Sequence, residues 1–273
     1  MPSVFLHHER DKKAVLVGAV LILFIGVYFI GKSLFFRNDT PPSYPVPKSA
    51  SQKEGVPLIP PDILIKKIQT NETLALLDIR DATSFQTEHI PQSFVIPINA
   101  LGNFAPNQNE LVVIIFAESD TLTLETAKNI MGQKSFPYFF LKGGFEGWKA
   151  MGAPTISMGD PKSFLDQSKV ALIDVEAYKK LISENNPSLL TLDVQTDEAF
   201  AKKHLKGALH IPLNQLEKRF GEIPAGRQII VYGENDLTSF QGGVRIFDLG
   251  IFSARVLTGN NYLSPESGLL LEP

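Results

Sequence analysis

Apolar and polar positions along the chain fall into three regimes. Ala14 to Ile30 runs seventeen residues without a charge, and "GKSLFF" carries the apolar stretch to Phe36 if Lys32 lays its stem on the apolar surface and its amine in water. That length crosses a bilayer, so residues 14–36 are expected to form one transmembrane anchor, preceded by a short polar tail, 1–13. A cleaved secretory peptide is the rival reading, but the apolar core is long and "GKSLFFRND" offers no small-x-small cleavage pattern. Pro41, Pro42, Pro45, Pro47 and Pro57 then mark residues 37–57 as a semi-rigid spacer, extended at about 3 Å per residue. Beyond it, short apolar runs bounded by turn residues alternate with segments of helical periodicity, the pattern of an α/β fold.

The third regime repeats itself. "LLDIRDATSFQTEHIPQSFVIPI" starts at Leu76 and "LTLDVQTDEAFAKKHLKGALHIPL" at Leu190, with Asp78 and Asp193, Phe85 and Phe200, His89 and His204, and Pro97 and Pro212 each 115 residues apart. Phe116 and Tyr232, then Gly143 and Gly259, keep step at an offset of 116. Such constancy means duplication, and it predicts two domains, 58–158 and 163–273. Each copy opens with a helix, for which Asp62 in "PPDILIKKIQT" and Asp174 in "IDVEAYKKLISEN" are the expected caps. A buried strand, a helix ending near His89 or His204, a strand into "IP", the strand "LVVIIFA" or "QIIVYG", a polar loop, a helix, a strand and a glycine turn follow. Strands alternating with helices predict a mostly parallel sheet covered on both faces in each copy.

Asp78-x-Arg80, His89-Ile90, Ile96-Pro97 and Gly143-Gly144 through Trp148, taken with "VVIIFAESDT", resemble a rhodanese homology domain, and the second copy resembles a more degraded one. The resemblance covers roughly residues 58 to 273. It implies that the residue after the "VVIIF" strand should be a cysteine carrying sulfur as a persulfide, with loop N–H groups stabilising the negative sulfur. This chain has Ala117 and Gly233 there, and no cysteine anywhere, which also excludes disulfides and thiolate metal sites. The second copy further replaces Arg80 by Gln195, Gly144 by Asn260 and Trp148 by Ser264.

The two loops, Ala117, Glu118, Ser119, Asp120 and Thr121 in the first copy and Gly233, Glu234, Asn235 and Asp236 in the second, keep the layout of a backbone anion nest. Glu118 and Asp120 fall at the same places as Glu234 and Asp236, and these acids are expected to occupy the loop donors and repel thiosulfate, phosphate or persulfide. Helix capping and solvation, recognition of a polar or cationic partner, and a weak metal site are the three readings of those acids. Asp78, Arg80, His89, Gly143, Gly144, Trp148, Asp193, His204 and Gly259 are expected to be structural: an ion pair at a strand end, histidines fixing a turn, a tryptophan in the core. No metal or cofactor site is nominated.

The formal charge of −3 leaves no footprint for nucleic acid. Arg10, Lys12 and Lys13 precede the apolar span, against Lys32 and Arg37 after it, which places the tail in the cytoplasm and the domains outside it. The expectation is a single-pass, membrane-anchored, catalytically inactive binding or scaffolding module, its partner another membrane or envelope protein. The alternative is an enzyme of unidentified type with its site in the cleft between the domains.

Overall fold

The computed structural model describes residues 55–259 and 261–273, so the expected anchor, its preceding tail, the spacer up to residue 54, and Asn260 lie outside the described residues. Among the described residues no helix is long and apolar enough to cross a membrane. The first copy comprises β1 (Leu58–Ile59), α1 (Pro61–Gln69), β2 (Leu74–Asp78), α2 (Ala82–Thr87), β3 (Glu88–His89), β4 (Phe94–Val95), α3 (Ile98–Leu101), β5 (Leu111–Ile115), α4 (Thr121–Met131), β6 (Tyr138–Leu141), α5 (Gly144–Ala150) and β7 (Ile156–Ser157). A connecting helix, α6 (Phe164–Ser168), leads to the second copy. There the order recurs: β8 (Ala171–Ile173), α7 (Val175–Ser183), β9 (Leu189–Asp193), α8 (Asp197–Lys202), β10 (His204–Leu205), β11 (Leu209–His210), α9 (Leu216–Arg219), β12 (Gln228–Tyr232), α10 (Asp236–Asp248), β13 (Arg255–Leu257) and β14 (Leu271–Glu272).

Both copies build a five-stranded parallel sheet with equivalent strands in the same order, β1-β6-β5-β2-β4 and β8-β13-β12-β9-β11. The unbroken apolar run of β5 follows from its central place. Val112 and Ile114 face a layer with Leu77, Met131 and Phe140, while Val113 and Ile115 face one with Leu64, Leu76, Leu141 and Trp148. In the second copy Ile229 and Val231 pack with Leu192 and Ile246, and Ile230 and Tyr232 pack with Ile173, Tyr178, Leu257 and Tyr262. Each copy is closed by its last strand, which returns antiparallel to the strand after the second helix: His89 lies opposite Ile156, and Leu205 opposite Leu271.

Helix starts follow local chemistry, with one correction. Asp174 accepts from the Ala177 N–H at 2.8 Å and caps α7. Asp62 does not cap α1: Pro60 occupies that position, Pro61 opens the helix, and Asp62 stands in its first turn. Proline at the first helical position carries no N–H to satisfy and has its φ already set, so the helix starts earlier than a capping acid would dictate, and Asp62 contributes only its charge near the helix N-terminus.

Trp148, on α5, is 1% exposed, and its indole N–H donates to the Pro154 carbonyl at 2.8 Å. Truncation leaves a large cavity and an orphaned carbonyl. Trp148→Ala is therefore expected to lower the unfolding free energy by roughly 3–5 kcal/mol in a denaturant titration, and a loss below about 1 kcal/mol would show that the ring is no part of the core.

Candidate functional site

Each copy ends its second strand in a buried carboxylate, Asp78 or Asp193, both 0% exposed. In the first copy Arg80 answers it. Its Nε donates to Oδ1 at 3.0 Å and its Nη2 to Oδ2 at 2.7 Å, while Nη2 also reaches the Glu88 carbonyl at 2.8 Å. The guanidinium lies 3.6 Å from the centre of the Phe145 ring, so its face is covered as well.

The second copy holds its acid with neutral groups. Gln195 Nε2 donates to Asp193 Oδ2 at 2.9 Å and to the Lys203 carbonyl at 3.2 Å, retracing Arg80's two contacts with an amide. A further side-chain donor is the Tyr232 hydroxyl, which bonds Asp193 Oδ2 and in turn accepts from the Leu205 N–H at 2.9 Å. The register corrects the offset of 116 in this strand: Tyr232 lies opposite Asp193 as Ile115 lies opposite Asp78, so it stands where the first copy has Ile115, not Phe116. The loss of a guanidinium is thus matched by the gain of a hydroxyl, but hydrogen bonds do not cancel a charge. Burial pushes the Asp193 carboxyl above the usual carboxylate range, and burial together with the Asp193 charge pushes Tyr232 up.

The loops beside these acids are sealed differently. In the first copy Asp120 caps α4 by accepting from the Thr123 N–H, while the Glu118 N–H is taken by Glu146 Oε2 at 3.0 Å. The side-chain hydrogen bond of Ser84 holds Asp81, the cap of α2, below its usual range, and that of Thr123 does the same for Asp120. Ser119 and Thr121 are exposed. Gly143 and Gly144 have positive φ, and a Cβ on Gly144 would sit 2.4 Å from the Phe116 carbonyl oxygen, so the turn closes directly on the end of the loop strand.

The second loop departs from expectation. Glu234 and Asp236 do not repeat the places of Glu118 and Asp120. The segment between strand and helix is two residues shorter, 233–235 against 116–120, Asn235 caps α10, and Asp236 is the first helical residue. Asp236 accepts from the Gly259 N–H at 3.0 Å, and Glu234 Oε1 accepts from the Thr196 hydroxyl at 2.9 Å. Neither acid fills its own loop. Instead the Gly233 N–H donates to Ser239 Oγ at 2.8 Å, and Ser239 Oγ meets the Tyr262 hydroxyl at 2.9 Å. A Cβ on Gly233 would lie 2.7 Å from the Thr238 side chain, so the shortened loop has no room there for any other residue without a shift.

The histidines diverge too. His89 Nδ1 bonds the Phe85 carbonyl at 2.9 Å and its ring stacks on Phe85, as His204 does with Phe200. His89 Nε2, however, faces Glu217 Oε2 of the second copy at 3.0 Å, and the Gln92 N–H donates to Glu217 Oε1 at 3.3 Å. Burial raises the Glu217 carboxyl, but the His89 hydrogen bond and charge outweigh it and hold it below its usual value. The contact spans 128 residues of sequence, and nothing in the pattern of either copy announces it. A cleft of about 760 Å³ opens beside it, with Phe94, Leu213, Glu234 and Arg245 among its lining residues. Among the described residues no cluster of three or more histidine or acidic side chains is arranged to hold a metal.

Comparison with known proteins agrees with the duplication. The family model described as Rhodanese-like domain matches residues 60–151 and 165–260, together more than half of the chain. The chain is 34% identical over 73 residues to the protein YrkF of Bacillus subtilis (strain 168), covering 27% of this chain and 39% of that one. It is 32% identical over 78 residues to the thiosulfate sulfurtransferase GlpE of Pseudomonas savastanoi pv. phaseolicola (strain 1448A / Race 6), covering 28% of this chain and 72% of that one. The crystal structure of a thiosulfate sulfurtransferase from Pseudomonas aeruginosa superposes with a TM-score of 0.41 at 17% identity, over 80% of this chain and 43% of that one.

Asp193 makes the second copy sensitive to pH in a definite direction. Its native pKa is raised, so the folded state holds a proton that the unfolded chain has released. Stability contributed at this site is greatest in acid and falls as pH rises from 3.8, the ordinary value of the carboxyl, through the raised native value. In Asp193→Asn that component is expected to vanish, so the difference in unfolding free energy between wild type and variant should decline across this window in denaturant titrations at stepped pH. A flat difference would mean that Asp193 is ionised in the fold at no cost.

Proposed function

The chain belongs to the rhodanese-like domain family, and we propose that its two copies act as a membrane-held binding or scaffolding module rather than as a sulfurtransferase. One observation carries this reading: the chain has no cysteine, and the two loops offer only Ala117 in the first copy and Gly233 and Glu234 in the second where a sulfur-bearing residue would stand. A persulfide needs a thiolate to form and a thiolate to leave, and neither alanine nor glycine supplies one. The loop geometry supports the same reading. Donors that would cradle a negative sulfur are engaged by Glu146 in the first copy and Ser239 in the second. What remains is a pair of well-packed α/β units joined by polar contacts, with exposed loops and no reacting group at the family's site.

The membrane part of the proposal rests on the uncharged stretch from Ala14 to Ile30, and its orientation on Arg10, Lys12 and Lys13. The spacer of residues 37–57 would hold the folded copies off the bilayer, where a protein partner of the same membrane or envelope can reach them.

Two measurements test the halves of this proposal. The protein is expected to transfer no sulfur from thiosulfate or mercaptopyruvate to cyanide, and turnover above a buffer blank overturns the assignment of both loops as inert. The same loops should answer differently to a restored thiol: Ala117→Cys should fold and react with a thiol reagent, while Gly233→Cys should lose stability because its Cβ meets Thr238.

For topology, a reporter fused after Pro273 is expected to be extracytoplasmic, with the full-length protein in the membrane fraction. If protease added to intact cells leaves the domains whole while lysis exposes them, the orientation is reversed.

A further inference from the structure

The cleft between the copies, at about 760 Å³, has the volume of an ordinary small-molecule site. Phe94 and Val95 of the first copy, Val194, Pro212 and Leu213 of the second, and Met158 of the connection give it apolar walls. Two acids and one arginine are the fully charged groups among its lining residues. Both acids are committed to the protein: Glu217 to His89 and the Gln92 N–H, Glu234 to the Thr196 hydroxyl. Arg245 is not. Its Nε donates to the Ser157 carbonyl at 3.4 Å, and its two terminal nitrogens have no hydrogen bond or ion pair among the described residues.

A guanidinium half out of water without a carboxylate is an unsettled group. Burial lowers its affinity for its own proton, and the more distant charges of Glu217 and Asp248 only partly restore it. The free face is the two-pronged end, which matches a carboxylate edge to edge.

We propose that the cleft binds a small organic acid, its carboxylate paired with the terminal nitrogens of Arg245 and its apolar body lying against Phe94, Val194 and Leu213. A bare inorganic anion would satisfy the arginine and leave the apolar walls wet. A neutral apolar molecule would dry the walls and bury the arginine further without a partner, which costs more than it returns. Only a ligand with both parts settles both surfaces. Such a ligand needs no sulfur-bearing residue, although Glu234 of the second loop lines the cleft, and it is compatible with a scaffold or with any other role of the chain.

Phenylacetate is a suitable probe, titrated calorimetrically into the full chain held in lipid nanodiscs, with empty nanodiscs as blank and 2-phenylethanol and acetate as half-ligands. Saturable binding of phenylacetate is expected, with each half-ligand weaker by about tenfold or more, and with Arg245→Gln weakening phenylacetate about ten- to hundredfold. Arg245→Lys, which keeps the charge and loses the fork, should fall between. Thermal melting of each variant establishes that it is folded, and if Arg245→Gln is not, the lysine variant and the half-ligands decide. Equal affinity for phenylacetate in a folded Arg245→Gln protein overturns the proposal. So does 2-phenylethanol binding as well as phenylacetate, which would make the cleft merely apolar, or acetate binding as well, which would make it a plain anion site. Absence of saturable phenylacetate binding overturns it outright.

Discussion

A carboxylate buried at the end of the second strand is the constraint on which each copy is organised. Asp78 and Asp193 are inaccessible to water, and an ionised group in that position must be surrounded by donors or surrender its charge. Their partners are drawn from separate parts of the chain. Each side chain accepts the N–H two residues on, at Arg80 or Gln195. Through the side chain of that same residue it reaches the carbonyl of Glu88 or Lys203, where the second helix gives way to the strand that receives the domain's closing strand. Its own backbone carbonyl accepts from Ile96 or Ile211. One acid therefore ties the sheet, the second helix and the domain's closing strand. Removing a single partner from such a site is costly, which explains why the second copy could lose the arginine only by rebuilding the donor set.

That rebuilding shows how the copies have drifted. Gln195 keeps the reach of Arg80 but not its charge, and Tyr232 supplies the missing hydrogen bond from the strand next door. The hydroxyl brings the loop strand into the network, and from Tyr232 the ring contact runs to Tyr262 and its bond to Ser239, beside Gly233. In the first copy the same loop is tied by Glu146, which stands 116 residues before Tyr262. Both copies thus brace the loop from the segment after the glycine turn, one with a carboxylate and one with a tyrosine. The second has additionally shortened the loop until a Cβ on Gly233 would strike the Thr238 side chain. A loop that must admit a sulfur atom cannot be packed in this way.

Much of this architecture was legible in the sequence because it is written twice. A constant offset between paired residues defines two equivalent folds, and a doubly buried strand such as Val112 to Ile115 has a composition that betrays it. Local exceptions were harder to read. Asp62 looked like a cap because its chemistry fits, yet a proline pair fixed the helix start before it. The acids of the two loops look equivalent in sequence because a gap of two residues in a short polar segment leaves no trace in hydrophobic pattern. The exchange of Arg80 for Gln195 is visible in the sequence, but the matching exchange of Ile115 for Tyr232 is hidden by the offset that pairs Tyr232 with Phe116; only the register joins the two. Glu217 and Arg245 carried no signal, since contacts between copies follow neither the helical nor the strand period.

Those contacts are polar, and this determines what kind of interface joins the copies. Ser157 is held from both sides of its peptide, its N–H by Asp248 at 2.9 Å and its carbonyl by Arg245. Lys169 bridges Asp166 and Asp248 at 2.9 Å each, and Asp166 in turn accepts from the Asp160 N–H. The strand that closes the first copy is thereby fastened to the last long helix of the second, while Glu217 fastens that copy to His89 on the other side. An interface closed by apolar packing would have filled the space between these two fastenings. Directional hydrogen bonds fix the separation of the surfaces without requiring that they touch, so the walls formed by Phe94, Val194 and Leu213 stay apart and the cleft is kept open by the same bonds that hold the copies together.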